Sequence, residues 1–201
     1  MTSPPHMAKK SMPLSVSPFL YPLDEFYAQA QRCLPTIESM PGEQVPEPYK
    51  SLLVHTNDMT STLERFHGES VHLKVLSSQQ RDDFYFREVV LVLDQAGSPV
   101  EFGAIKINLV LFPSHARRQI LQERHPLGHI LEEHKIPYVS RSKAFLKVES
   151  DSFIEGALGL AAPSSVFARR NALLDSAQRS LAEVLEILPP ISNGDAQKES
   201  A

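Results

Sequence analysis

A chain of 201 residues that is 42% hydrophobic and carries a formal net charge of -4 has apolar mass for one domain with a real core, plus tails. Its Lys and Arg residues are scattered, and no helix-turn-helix or zinc-finger pattern occurs, which argues against nucleic acid as the main partner. No apolar run approaches the roughly 18 residues of a membrane span and no signal-peptide core follows Lys9-Lys10, so the cytoplasm is the expected location.

Residues 1–22 are rich in Pro and Ser without a sustained period and read as a flexible arm, residues 191–201 read as a disordered tail, and the domain is placed at 23–190. From Leu23 to Leu34 the spacing of Phe26, Ala30 and Leu34 predicts a helix ended by Pro35. The single cysteine, Cys33, excludes an internal disulfide and is expected to be a packed residue of that helix rather than a nucleophile. A Pro/Gly-rich connection runs to Pro48, and a short helical piece follows from Tyr49 to His55. Asn57-Asp58-Met59-Thr60 then suits the cap of a helix continuing through Leu63 and Phe66 to Gly68. Capping accounts for Asp58 and Thr60, and it leaves backbone N–H groups that can hold an anion or a polar ring substituent.

Val71, Leu73 and Val75 alternate with polar residues as in a half-buried strand. Next comes the stretch that organises the chain: two β-rich runs between Phe84 and Leu111 flank Asp-Gln-Ala-Gly-Ser-Pro, which predicts a hairpin. Strand alternation puts Tyr85, Arg87, Val89, Leu91 and Leu93 on one side, so Arg87 lies in an apolar row. An unpaired buried guanidinium is costly, and its partner is either a protein carboxylate or a ligand's.

Pro113 to Arg124 reads as a helix, and a second begins at His125-Pro126-Leu127-Gly128 and ends near Lys135. The Pro-Leu-Gly start is either punctuation or a flap whose Gly128 lets backbone approach a bound ring. Tyr138 to Glu149 reads as a strand, and Asp151 to Pro163 as a short helix or a lid. A last hairpin joins Val166–Leu174 to Leu181–Leu188, where Glu186 shares a face with Ala182, Val184 and Leu188. A lone charge of this kind reads as an edge-strand residue turned to water, and two of opposite sign bring a buried role nearly level with that reading. The fold class is α+β: one antiparallel sheet with helices packed on one side.

The eight histidines make no metal-ligand spacing: His129 and His134 are five apart, which does not put both on one helix face. Gly-x-Gly-x-x-Gly, a phosphate loop and Gly-x-Ser-x-Gly are all lacking.

Four pieces occur in a telling order: Asp58-Met59-Thr60 opening a helix, Phe86-Arg87-Glu88-Val89 in a strand, Pro126-Leu127-Gly128, and Leu185-Glu186-Ile187-Leu188-Pro189 as the closing strand. Together they resemble the chorismate lyase (chorismate pyruvate-lyase) family over roughly residues 50 to 190, in its longer, less characterised branch. The resemblance implies a buried ligand site under flaps, no metal, no organic cofactor, a small-molecule substrate and a monomer. It also implies a carbon–oxygen lyase that removes pyruvate from chorismate or a close relative, giving 4-hydroxybenzoate as in ubiquinone biosynthesis. The family's arginine falls on Arg87, its glutamate on Glu186, and its backbone contacts on Met59 and Leu127, with Gly128 beside them. Arg87 would hold the ring carboxylate, and Glu186 would contact the opposite hydroxyl and act as acid/base or orient the ring. The chain departs from the family's short form in inserting 147–165, in Ala168 before Arg169-Arg170, and in Ile105-Lys106 where an arginine is expected. Two alternatives stand beside the enzyme: a small-acid-sensing domain like those of bacterial transcription regulators, and a silent aromatic-acid binder.

Overall fold

The computed structural model describes residues 17–191, and seven strands among them form one antiparallel sheet. In chain order these are β1 (Ile37–Met40), β2 (Val71–Arg81), β3 (Phe84–Leu93), β4 (Pro99–Asn108), β5 (Val139–Glu149), β6 (Ser165–Leu174) and β7 (Ser180–Leu188). The spatial order β1-β5-β6-β7-β4-β3-β2 joins two meanders, β2-β3-β4 and β5-β6-β7, along a β4–β7 seam. Both hairpins expected from the sequence therefore meet at the middle of the sheet. The link between the meanders has to pass over one face, and it carries two of the helices.

The helices are α1 (Leu23–Gln29), α2 (Tyr49–Leu53), α3 (Met59–His67), α4 (Ser114–Gln122), α5 (Leu127–Glu133) and α6 (Ser152–Leu158). All the helices over the site, α2 to α5, lie on one side. There α4 and α5 cover Tyr85, Ile105 and Ala182, while α2 and α3 cover Leu91, Leu93 and Leu188. On the reverse side α1 and α6 close over Phe86, Val90, Phe102 and Ile187. Cover on both faces is why β3 is buried along nearly its whole length and reads as a continuous apolar run.

Some boundaries move. The first helix stops at Gln29, five residues before the expected end, with Gln31 in a left-handed conformation. Cys33 is consequently exposed and outside any helix, not packed within one. The connection up to Pro48 contains β1, which pairs with β5 through Ile37 and Val148; four residues are too few to show a period. Asp151 to Pro163 resolves as α6, whose Asp151 carboxylate accepts from the N–H groups of Phe153 and Ile154 at 3.0 Å each. Residues 1–16 of the expected arm and 192–201 of the expected tail lie outside the described residues, while Leu20 is 1% exposed within the reverse-face core.

Two one-residue bulges set the register of the seam strands. One lies between Leu91 and Val92 in the β3–β4 ladder, the other between Leu173 and Leu174 in the β6–β7 ladder.

Candidate functional site

A cavity of about 70 Å³ sits between the middle of the sheet and the starts of α3 and α5. Its floor carries Arg87 from β3, Glu101 and Gly103 from β4 and Glu186 from β7; Met59 and Leu127 line it from above.

The roof follows from two helix starts pressed together. Asp58 caps α3 by accepting from Ser61 N–H at 2.9 Å, and Gly68 ends the helix in the left-handed conformation. Gly128, in the first turn of α5, faces that cap. A Cβ on it would lie 2.6 Å from Asp58 Oδ1 and 2.8 Å from Thr60 Oγ1, so only glycine permits the approach. Gly128 here meets the Asp58 and Thr60 side chains of the neighbouring cap, and Leu127 beside it reaches the cavity.

Arg87 is 1% exposed. Its Nη2 donates to His125 O at 3.5 Å, at the limit of a hydrogen bond, while Nε and Nη1 are buried without a partner. Desolvation pulls its pKa down to about 10, with Tyr85 and Glu123 pulling weakly the other way. The group is still a cation at neutral pH. Tyr85 OH itself donates to Glu123, and burial together with that carboxylate lifts the phenol to about 12.

Glu186 shares the cavity but is already paired. Arg169 of β6, directly across the ladder, gives it two hydrogen bonds, Nε to Oε2 at 2.6 Å and Nη2 to Oε1 at 3.1 Å. Arg169 Nη1 donates onward to Leu53 O at 3.3 Å and His55 O at 3.1 Å, and sits 3.3 Å from His55 Nδ1. His55 Nε2 lies 2.7 Å from Leu52 O, which suits a neutral ring with its proton on Nε2. Burial, then Arg169, lowers its pKa and keeps it neutral. Arg87 and Glu186 therefore line one floor without pairing: the ladders place them two strands and two residues apart, roughly 12 Å at Cα level.

Sequence reasoning thus brought Met59, Arg87, Leu127, Gly128 and Glu186 to one place. It missed Glu101, Asn171 and the partner role of Arg169. Glu101 stood in an apolar strand, the same signal that marked Arg87. The inserted segment 147–165 contains α6, which packs on the reverse face, away from the cavity.

No family model matches the sequence and no curated protein matches it, so sequence comparison does not reach the lyase family itself. The fold does have solved neighbours. It is similar to the effector domain of PhnF from Mycobacterium smegmatis (15% identity, 66% of this chain and 88% of that one, TM-score 0.52). A second structure of PhnF from the same organism matches at 14% identity over 68% of this chain and 65% of that one, TM-score 0.52. The ligand-binding domain of a protein assigned to the GntR family of transcriptional regulators, from Bordetella bronchiseptica, matches at 10% identity over 59% and 85%, TM-score 0.47. Identities this low speak to fold alone, and the fold shared with the two PhnF structures is the chorismate lyase-like one. Among the described residues no helix is long and apolar enough to cross a membrane.

Proposed function

We propose that this chain is a small-molecule-binding domain whose cavity takes a small aromatic carboxylate of the 4-hydroxybenzoate type. The observation that carries the reading is Arg87, a buried guanidinium at the cavity with two nitrogens unpartnered. Buried polar groups are normally satisfied, and the planar fork of an arginine matches a carboxylate. Met59 and Leu127 hold the ring from above, with Gly128 keeping the two helix starts together, and Glu186 borders the far side. The names of the structural neighbours, an effector domain and a ligand-binding domain, support sensing of the ligand over its turnover.

Thermal melts with benzoate, 4-hydroxybenzoate and 4-hydroxybenzyl alcohol test this. A ligand at a hundredfold excess over its Kd stabilises the folded state by about 2.7 kcal/mol, which at roughly 2–4 °C per kcal/mol is several degrees. The two acids are expected to raise Tm and the alcohol, lacking a carboxylate, to do so least. No shift with any at millimolar ligand sinks the reading.

A lyase reading is kept because the four positions named by the chorismate lyase resemblance, Met59, Arg87, Leu127 and Glu186, border a single cavity. In that reading Arg87 holds the ring carboxylate of chorismate. With both oxygens engaged by Arg169, Glu186 is set to orient the ring rather than to move a proton. Incubation with chorismate separates the two: release of pyruvate and 4-hydroxybenzoate selects the enzyme, and a thermal shift without turnover selects the binding domain.

A further inference from the structure

The cavity holds a second unsatisfied group that the reading above does not use. Glu101 is 5% exposed, lines the cavity, and buries its Oε2 without a hydrogen-bond partner. Its carboxyl folds back along β4: a Cβ on Gly103 would lie 2.9 Å from Glu101 Oε1, so the bare glycine makes room for it on the floor. Gly103 is in register with Glu186, which brings the two carboxyl groups to the same end of the cavity. Glu101 pairs with Leu91 on β3, and Leu91 is four residues from Arg87, roughly 13 Å along the strand. The two unsatisfied groups thus mark opposite ends of one space.

The charged groups facing Glu101 are Glu186, Arg169 and Asp58, with His55 behind Arg169. The cation that would neutralise it is committed, since Arg169 gives Nε and Nη2 to Glu186 and Nη1 to backbone oxygens. An ionised Glu101 would be a buried anion beside another carboxylate with no donor. Burial first, and Glu186 second, accordingly hold its pKa well above the ordinary carboxylate value. A protonated carboxyl is a hydrogen-bond donor, unlike a carboxylate.

We infer that Glu101 is a specificity residue of this cavity, donating its carboxyl O–H to an oxygen carried by the ligand at the end opposite the carboxylate held by Arg87. The inference rests on the aromatic-carboxylate reading and narrows it. The ligand is a small ring acid with a hydroxyl, ether or carbonyl oxygen at its far end, because an apolar far end would leave the donor without a partner.

Calorimetric titration of the full chain with benzoate and 4-hydroxybenzoate tests this, using the wild type, Glu101→Gln and Glu101→Leu. The wild type is expected to prefer 4-hydroxybenzoate by about tenfold, the worth of one hydrogen bond. Glu101→Gln keeps an N–H donor in place and keeps the preference. Glu101→Leu erases it by weakening 4-hydroxybenzoate alone, with benzoate bound as well as before. A preference that survives in Glu101→Leu, or an equal loss of both ligands, overturns the role of Glu101 and leaves the Arg87 reading standing. Failure of the wild type to bind either acid overturns the aromatic-carboxylate reading, and this inference with it. Should Glu101→Leu not fold, the pH profile decides. The wild-type preference falls as pH rises and Glu101 loses its proton, while that of Glu101→Gln stays level; profiles that fall together, or both stay level, overturn the inference.

Discussion

Two arginines sit on the same face of the same sheet, each no more than 1% exposed, and their surroundings differ completely. At the β6–β7 end Arg169 has all three guanidinium nitrogens donating to protein oxygens, two of them to Glu186. At the β3–β4 end Arg87 has one long contact and two unpartnered nitrogens. A buried cation that the protein satisfies is architecture. One left unsatisfied at the edge of a cavity marks where a ligand's charge belongs.

The comparison is broken most sharply at Arg169. Arg169→Met strands Glu186 without its cation, and breaking a buried pair costs about 3–5 kcal/mol, so Tm should fall by roughly 6–20 °C. Arg87→Met is the counterpart and should leave the ligand-free Tm level or raise it, because it removes a charge that nothing satisfies. The same variant should lose about 1.5–3 kcal/mol of aromatic-carboxylate affinity, or roughly 10- to 150-fold in Kd. If its ligand-free melt falls as far as that of Arg169→Met, the two arginines are alike and the contrast fails.

Gly128→Ala leaves both arginines untouched and acts on the roof. The added methyl meets Asp58 and Thr60, and overpacking of this kind costs about 1–3 kcal/mol in a denaturant titration. Ligand affinity should fall as well, since α3 and α5 are driven apart above Arg87.

The smallest effect concerns Glu88, the chain neighbour of Arg87 that points to the reverse face. Burial lifts its carboxyl to about 7 against an ordinary 4.5, with Arg32 opposing. The folded state therefore holds this proton to higher pH than the unfolded chain does. Its contribution to stability is complete below pH 4.5 and is lost as pH rises through about 7. Glu88→Gln should match the wild-type melt near pH 4 and exceed it at pH 8. Equal melts at both pH values would show that Glu88 is solvated in the folded protein. The contrast with Arg87 is chemical: a carboxyl can shed its charge inside the protein, and an arginine keeps it.

Alternation and capping alone were enough to determine much of this protein. The run from Phe84 to Leu93 and the Gly/Pro cluster after it specified the central hairpin, Asp58 and Gly68 bounded α3, and period-two spacing put Arg87 and Glu186 in apolar rows. Strand β1 and the early end of α1 were not legible, because four residues carry no period and the helix stops by pairing its own carbonyls. What only the tertiary structure decided is which charges share a face across the ladders. Extending the Leu174–Ser180 pairing without its bulge would set Arg169 opposite Leu185, on the other side of the sheet from Glu186. Extending Val92–Pro99 likewise would set Glu101 opposite Val90, away from Arg87. Each bulge slips one strand by a single residue, and with a side-chain period of two that slip moves a whole row from one face to the other. Period two is a property of each strand alone, so it identified the charged rows; the slip belongs to a pair of strands, and only their pairing could bring Arg87, Glu101, Arg169 and Glu186 to the same floor.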